Sequence, residues 1–244
     1  WIGVAAYGLQ IYFDFSAYSD MAIGLGHMFG FTLPENFKRP YSAISITDFW
    51  RRWHISLSNF FRDYLYIPLG GSRVSTGRMY TNLMIVFVLC GLWHGANWTF
   101  LVWGCFHGSL LIIERLSGMR ATDAKNLIIP RRVLTLFLVM VGWVFFRAVD
   151  MGQALSILKV MFVPVNYPLP FTLFEALNYR NIFFMAAASV VFFLPRDFSG
   201  LTLIEEHKKP LLEAIRVAIV IIMVLYSVAL IVSGSYNPFI YFQF

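Results

Sequence analysis

The chain has 244 residues, of which 59% are hydrophobic and 18% aromatic, while only 13% are charged. Soluble domains carry about 25% charged residues, so this composition excludes an ordinary soluble domain and indicates a protein embedded in a membrane. The net charge is +6, but the basic residues gather in polar loops, which is typical of membrane topology and argues against nucleic-acid binding. Cys90 and Cys105 have no Cys or His partners at metal-ligand spacing, so we expect no bound metal.

The first third of the chain alternates apolar and basic stretches. Residues 1–31 are apolar but contain Asp14, Asp20 and His27, so we expect helices inside a bundle and not a lipid-exposed span. The polar stretch 32–78 carries seven basic residues against three acidic ones, which predicts a position on the cytoplasmic side.

Residues 45–65 fit an amphipathic helix. Ser45 and Asp48 match a capping box, in which Asp48 reaches back to the cap. Apolar, mostly aromatic residues recur at helical spacing opposite an Arg-rich face, which is typical of a helix lying in the membrane interface. His54 falls at the edge of the apolar arc. It either faces inward as a functional group or occupies the polar boundary and bonds a headgroup or a backbone carbonyl.

Residues 80–113 are nearly all apolar but are interrupted by the polar sequence HGAN at 94–97. This pattern fits either one long tilted helix or two shorter helices that meet at a break. Each half is shorter than the about 20 residues needed to cross a bilayer, and Arg78 and Arg115 flank the pair with the same charge. We therefore favour a re-entrant pair whose turn carries His94.

His94 is the leading catalytic candidate because an ionisable side chain at membrane depth is usually functional. An imidazole titrates near pH 6.5, so it can exchange protons at working pH, and His94 could act as a general base. The alternative is a buried histidine that bridges helices through hydrogen bonds. Gly91 and Gly95 would allow backbone or substrate to approach closely. Asn97 could orient a ring nitrogen or stabilise an oxyanion, or could simply cap the next helix. His107 would act together with His94 only if the helix breaks between them.

Three further apolar segments are interpreted as membrane spans: 133–149, 182–195 and 212–233. The loops 114–132 and 196–216 are rich in Lys and Arg and are expected inside, whereas 150–181 holds two basic residues and is expected outside. The tail 235–244 has no charged side chain and is expected outside. Together the segments predict an all-α fold, a polytopic membrane helical bundle with re-entrant and interfacial helices.

No Gly-x-Ser-x-Gly elbow, Walker A loop or dinucleotide fingerprint occurs in the chain. No Ser or Cys stands in an obvious nucleophile setting either. The remaining chemistry is proton transfer by histidine on bound partners, which fits direct transfer of a group between two substrates.

Four motifs resemble the membrane-bound O-acyltransferase family, and within it the alginate-type branch: DFWRRWHISLS at 48–58, YLYIPLGG at 64–71, WHGANW at 93–98 and NPFIYFQF at 237–244. The resemblance implies that His94 matches the family's buried catalytic histidine and His54 its second histidine. It also implies a helical bundle around a central cavity, where a cytoplasmic funnel meets an outer cavity. The chain, 1–244, resembles the C-terminal part of one such domain, with its N-terminal helices missing and 32–78 as a cytoplasmic-side amphipathic region.

The resemblance further implies an O-acyltransferase that moves an acetyl group from a cytoplasmic thioester donor, acetyl-CoA, toward an exported polysaccharide such as alginate. No bound cofactor is expected. The residues expected to contact substrate or donor are Asn97, Trp93, Trp53, Arg51 and Arg52. The arginines would attract donor phosphates, or would serve only topology and headgroup contact.

The expected location is the bacterial inner membrane, in a multi-pass arrangement. The expected partners are membrane lipid, the exported polysaccharide and periplasmic acetyltransferase or polysaccharide-modification proteins. Two other activities stay open on the sequence: transfer of D-alanyl or another acyl group to a cell-envelope polymer, and a non-enzymatic scaffold or pore that passes the acyl group to a periplasmic partner. A proton-coupled transporter would show inverted repeats, which this sequence lacks.

Overall fold

The computed structural model describes residues 1–118, 127–163, 171–195 and 210–233. In these residues every regular element is a helix, which confirms the all-α prediction. The α-helices are α1 (Ile2–Met28), α2 (Ile46–Trp50), α3 (Ile55–Phe61), α4 (Thr76–His94), α5 (Trp98–Leu116), α6 (Ile128–Arg147), α7 (Met151–Phe162), α8 (Phe171–Ala176), α9 (Tyr179–Ser189) and α10 (Pro210–Ser233). Shorter turns of 3-10 helix span Pro40–Ser42 and Val190–Phe192, and a π-helical turn spans Arg62–Tyr66.

The chain forms two compact units, Trp1–Leu194 and Pro195–Phe244. In the first unit, α5 packs against α4 on one side and α6 on another, and the short α2 also lies on α5. Its core is aromatic: the rings of Trp103, Trp143 and Phe49 are almost fully buried. The described part of the second unit is α10, an apolar helix of 24 residues.

Three described helices, α5, α6 and α10, are long and apolar enough to cross a membrane. The last two correspond to the spans expected at 133–149 and 212–233. The span expected at 182–195, already short for a straight crossing, corresponds to α9 and the following 3-10 turn, an apolar segment of 10–17 residues, and stays a prediction. The segment expected as an outer loop, 150–181, contains α7, whose first turn is capped by the Asp150 side chain.

The two-helix interpretation of residues 80–113 is confirmed. Helix α4 ends at His94 and α5 begins at Trp98, so the chain reverses at the HGAN sequence. Each helix has 19 residues, which is longer than the apolar halves seen in the sequence, and α5 reaches crossing length. The argument from length therefore fails for α5, whereas the re-entrant arrangement itself stays a prediction, and the turn does carry His94.

The single amphipathic helix expected at 45–65 is wrong, because the chain breaks into α2, α3 and the π-helical turn. Ser45 caps α2 as expected, since its Oγ accepts a hydrogen bond from the Asp48 amide at 3.0 Å. The carboxylate of Asp48 accepts a hydrogen bond from the amide of Ile44 at 3.2 Å, one residue before the cap. The break lies just before α3, at His54, whose backbone is left-handed at φ +45°.

Some expectations fall on residues outside the described ranges. The tail 235–244, the NPFIYFQF motif within it and most of the basic loop 196–216 lie there, as does the middle of the basic loop 114–132. The placement of these segments inside or outside the membrane stays a prediction.

Candidate active site

His94 is the last residue of α4 and stands at the tip of the α4–α5 hairpin. Its ring is half-buried among aromatic rings, with centroids 4.9 Å from Phe146, 4.9 Å from Trp93 and 5.2 Å from Trp103. Among the described residues, none forms a hydrogen bond with the His94 ring. Within the described part of the chain, the helix-bridging alternative therefore finds no hydrogen-bond partner for either ring nitrogen.

Gly95 makes the turn after His94 possible. A Cβ on Gly95 would lie 2.7 Å from the ring of Phe100, so a larger residue would have to displace that ring. Asn97 then caps α5: its Oδ1 accepts from the Thr99 amide at 3.2 Å, and its Nδ2 donates to the Val149 carbonyl at 2.8 Å. Both ends of the Asn97 side chain are thus engaged in structure, in line with the capping alternative.

His54 is buried, with 9% of its surface exposed. Its ring packs edge-on against Phe15, with centroids 4.6 Å apart and planes at 90°. The Nδ1 atom lies 3.3 Å from the Oδ1 atom of Asn36. Burial lowers the pKa of His54 to about 4, because an imidazolium would lose its hydration there. His54 is therefore neutral at physiological pH and faces inward, as the functional interpretation requires.

The structure brings the two candidate histidines together, although 40 positions separate them in the chain. The ring of Trp93 lies next to both, 6.2 Å from His54 and 4.9 Å from His94 between centroids. Trp93 itself is 57% exposed, so part of its indole surface is free beside the two imidazoles.

The remaining predicted contact residues separate into two groups. Trp53 is buried in the aromatic core, stacked on Phe49 at 5.7 Å, and offers little surface to a substrate. Arg52 is held by Asp48, with its Nε 2.9 Å from the carboxylate, and also donates to the Lys38 carbonyl. Both therefore stabilise the region that precedes His54.

Arg51, by contrast, is exposed and lines a groove. The groove has a volume of about 370 Å³ and runs between α3, α4 and α5. Its walls are apolar, with Phe87 and Leu111 among them, and two further exposed arginines, Arg62 and Arg115, line it as well. Such a surface suits an anionic molecule with an apolar or extended chain.

His107 lies in the core and not in the site. It is 1% exposed, and its Nδ1 accepts a hydrogen bond from Trp50 Nε1 at 3.4 Å. The Trp103 ring lies between His107 and His94. Its centroid is 5.0 Å from that of His107 and 5.2 Å from that of His94. The helix does break between His94 and His107, but this does not bring their rings together. His107 instead holds α2 against α5 through Trp50.

Sequence reasoning missed two residues that shape the site. Asn36 accepts hydrogen bonds next to His54, and no motif marks it in the sequence. Glu114, near the end of α5, accepts from the amides of Ile46 and Thr47 at 2.7 and 3.3 Å and so caps α2 from another helix. The sequence could have marked Glu114, because it is a single acidic residue at the end of an apolar segment.

The structure thus places His94 at the tip of the α4–α5 hairpin and His54 at the break before α3, with the Trp93 ring beside both imidazoles. Residues 1–148 match the sequence model of the MBOAT, membrane-bound O-acyltransferase, family. This match covers more than half of the chain and includes both histidines. The protein therefore belongs to the membrane-bound O-acyltransferase family, and the resemblance inferred from the motifs is confirmed.

Relatives within the family have polysaccharide-related names. "Probable alginate O-acetylase AlgI" of Pseudomonas putida is 41% identical over 100% of this chain and 53% of its own length. A protein of the same name from Azotobacter vinelandii is 56% identical over 66% of this chain and 32% of its own length. "Peptidoglycan O-acetyltransferase" of Helicobacter pylori is 48% identical over 66% of this chain and 31% of its own length. The chain thus spans about half the length of the first of these relatives, and less of the others.

Proposed function

We propose that the protein is an O-acetyltransferase that moves an acetyl group from a cytoplasmic thioester donor, acetyl-CoA, toward an exported polysaccharide such as alginate. It would act in the bacterial inner membrane, which it would cross several times. The observation that supports this proposal is the geometry of His94: an imidazole at a hairpin tip, without a hydrogen-bond partner among the described residues, beside a second neutral histidine. The names of the relatives favour acetyl as the transferred group.

In this reaction His94 acts as the general base. It removes the proton from an acceptor hydroxyl as the hydroxyl oxygen attacks the thioester carbonyl carbon. The tetrahedral oxyanion collapses, the carbon–sulfur bond breaks, and the thiolate takes the proton back from the imidazolium. The aromatic rings around His94 keep bulk water from the reacting carbonyl, which limits hydrolysis of the donor. His54, whose ring packs against the same Trp93 indole as His94, would be the second catalytic histidine and assist the same proton transfer.

The donor is proposed to enter along the groove lined by Arg51. Its phosphates would bind Arg51, with Arg62 and Arg115 nearby, and its apolar arm would lie against Phe87 and Leu111. The α4 surface of this groove includes Cys90, which lies one helical turn before His94, so a chain in the groove points toward the catalytic ring. The exposed face of Trp93 is the proposed contact for the substrate at the other side of His94.

The acceptor is the exported polysaccharide or a hydroxyl of a periplasmic modification protein that relays the acetyl group to it. The H. pylori relative is named for a different polymer from the P. putida relative. The family scaffold is therefore compatible with several acceptors, and we propose that outer partner proteins select among them.

The test is the base-labile acetate content of extracellular polysaccharide from cells that carry the full-length protein. The three samples are wild type, His94→Ala and the control His27→Ala, which changes an exposed histidine of α1. Removal of a general base costs about 100-fold or more in rate, so His94→Ala should lose the acetate at unchanged membrane level. His27→Ala should keep it.

Retention of acetate in His94→Ala would contradict the general-base role and favour a scaffold or pore that only passes the acyl group. Release of D-alanine instead of acetate from the wild-type polymer would contradict the proposed acyl group. A wild-type polymer without either ester would contradict acyl transfer itself.

A further inference from the structure

The side-chain oxygen of Asn36 is an acceptor shared by three groups around His54. Oδ1 of Asn36 lies 3.1 Å from the backbone nitrogen of Ser56, 2.9 Å from Ser56 Oγ and 3.3 Å from Nδ1 of His54. The Ser56 amide can only donate, so the atom that it meets must be the carbonyl oxygen of the Asn36 side chain and not its NH₂ group. The orientation of the Asn36 amide is thus determined by the backbone.

That orientation determines the tautomer of His54. An amide oxygen only accepts, so the ring nitrogen facing it has to donate, and the proton of a neutral His54 resides on Nδ1. Ser56 Oγ, which gives its own hydrogen to Asn36, lies 3.4 Å from the same Nδ1 and can present only a lone pair to it. Both neighbours of Nδ1 therefore favour the same proton position.

The backbone holds the two partners in register. The amide of Ile55 donates to the Asn36 carbonyl at 3.0 Å, and the amide of Lys38 donates to the Arg52 carbonyl at 2.9 Å. These bonds pin the segment around Asn36 alongside the break between α2 and α3. They also maintain the left-handed backbone of His54, a conformation that non-glycine residues adopt at a cost.

We propose that Asn36 is a positioning residue that locks His54 as the Nδ1–H tautomer and leaves Nε2 as its one proton acceptor. Asn36 acts through His54 and needs no contact with substrate. A free imidazole in water exchanges between both tautomers, whereas the lock keeps Nε2 unprotonated in every neutral molecule. His54 then accepts a hydrogen bond or a proton at Nε2 but cannot donate one there until it is charged.

The consequence for activity rests on the proposed acyl transfer, in which His54 assists His94. Phe15 and Trp93 cover the His54 ring with apolar surface, and Trp93 also contacts the imidazole of His94. A carboxylate in place of the Asn36 amide would therefore be the dominant charge at Nδ1–H. Opposite charge at this distance raises the pKa of a histidine by about one unit or more.

The experiment measures acetyl transfer against pH in membranes that contain the full-length protein as wild type, Asn36→Asp, Asn36→Ala or the control Asn178→Asp. Asn36→Asp preserves the shape and the acceptor, and should move the acid limb of the rate profile to higher pH by about one unit or more. Asn36→Ala should lower kcat while KM for the donor stays the same. Asn178 is the exposed N-cap of α9, where a carboxylate serves equally well, so its variant should match wild type.

A purely structural role of Asn36 would lower the amount of active protein equally at every pH. An Asn36→Asp profile that overlays the wild-type profile would therefore overturn the inference. If Asn36→Ala does not reach the membrane, Asn36→Ser takes its place. Its polar side chain is one atom shorter and cannot reach Nδ1 of His54, so it should show the same loss of kcat. Absence of transfer by the wild-type protein would instead refute the proposed function, so the two failures are distinguishable.

Discussion

The hairpin that carries His94 depends on a contact that leaves no room for a side chain at Gly91. A Cβ on Gly91 would lie 2.3 Å from the carbonyl oxygen of Phe100 and 3.5 Å from the Cα of Gly104. Carbon and oxygen normally stay more than 3 Å apart, so Gly91→Ala must push α4 and α5 apart by about 1 Å. Because both obstacles are backbone atoms, no rotamer change can relieve the overlap.

The magnitude follows from two opposing terms. Over-packing a close contact costs about 1–3 kcal/mol. Replacing glycine by alanine within a helix returns about 0.5–1 kcal/mol through backbone entropy. We therefore expect Gly91→Ala to destabilise the protein by about 1–2 kcal/mol, and to lower acetyl transfer further because the hairpin tip moves with α4.

The chain provides a matched control in the same helix. Gly77 lies in the first turn of α4, and a Cβ there would meet nothing within 4 Å. Gly77→Ala should keep or slightly raise the thermal midpoint of the full-length protein in detergent, measured by size-exclusion chromatography after heating, whereas Gly91→Ala should lower it by several degrees. Equal midpoints for the two variants would refute the steric reasoning.

Three further predictions concern the surroundings of the histidines. Gly95→Ala should nearly abolish transfer while the protein still reaches the membrane, because its Cβ would meet the Phe100 ring at 2.7 Å; wild-type transfer would contradict this. Glu114→Ala should lower the thermal midpoint more than Glu114→Gln, since loss of the acceptor for two α2 amides costs about 1–3 kcal/mol, and equal midpoints would exclude this cap. Burial lowers the pKa of His54 from 6.5 to about 4, so unfolding takes up a proton between these values. Wild type should lose stability in urea as pH falls from 6.5 to 4, and His54→Gln should lose less; identical slopes would disprove the effect.

The break at residues 94–97 could be predicted from the sequence because its causes are local. Gly95 and Asn97 are residues that end and cap helices whatever surrounds them. The polar interruption of an otherwise apolar stretch also marked His94 as a candidate catalytic residue. The lengths of the two helices were harder to predict from the sequence. Helix α4 begins at Thr76, before the apolar stretch starts, and α5 continues to the end of its apolar stretch.

The break at His54 could not be predicted, because its cause is tertiary. Residues 45–65 have a helical pattern without glycine or proline, and the local sequence favours one continuous helix. The structure interrupts that helix because Trp50 and Trp53 turn into the aromatic core and Asn36 captures the following amides. Long-range contacts of this kind have no signature in a window of neighbouring residues.

Helix α5 links both breaks and so connects the two histidines mechanically. At the N-terminus of α5, Asn97 caps the helix and sets the turn that follows His94, and in the last turn of α5 Glu114 caps α2. Between these two residues, His107 of α5 accepts a hydrogen bond from Trp50 of α2. Asn97 and Glu114 are about 26 Å apart along the helix axis. One rigid element therefore fixes the start of α2, which leads to His54, and the end of α4, which carries His94. A substitution that tilts α5 should change the separation of the two rings without touching either one.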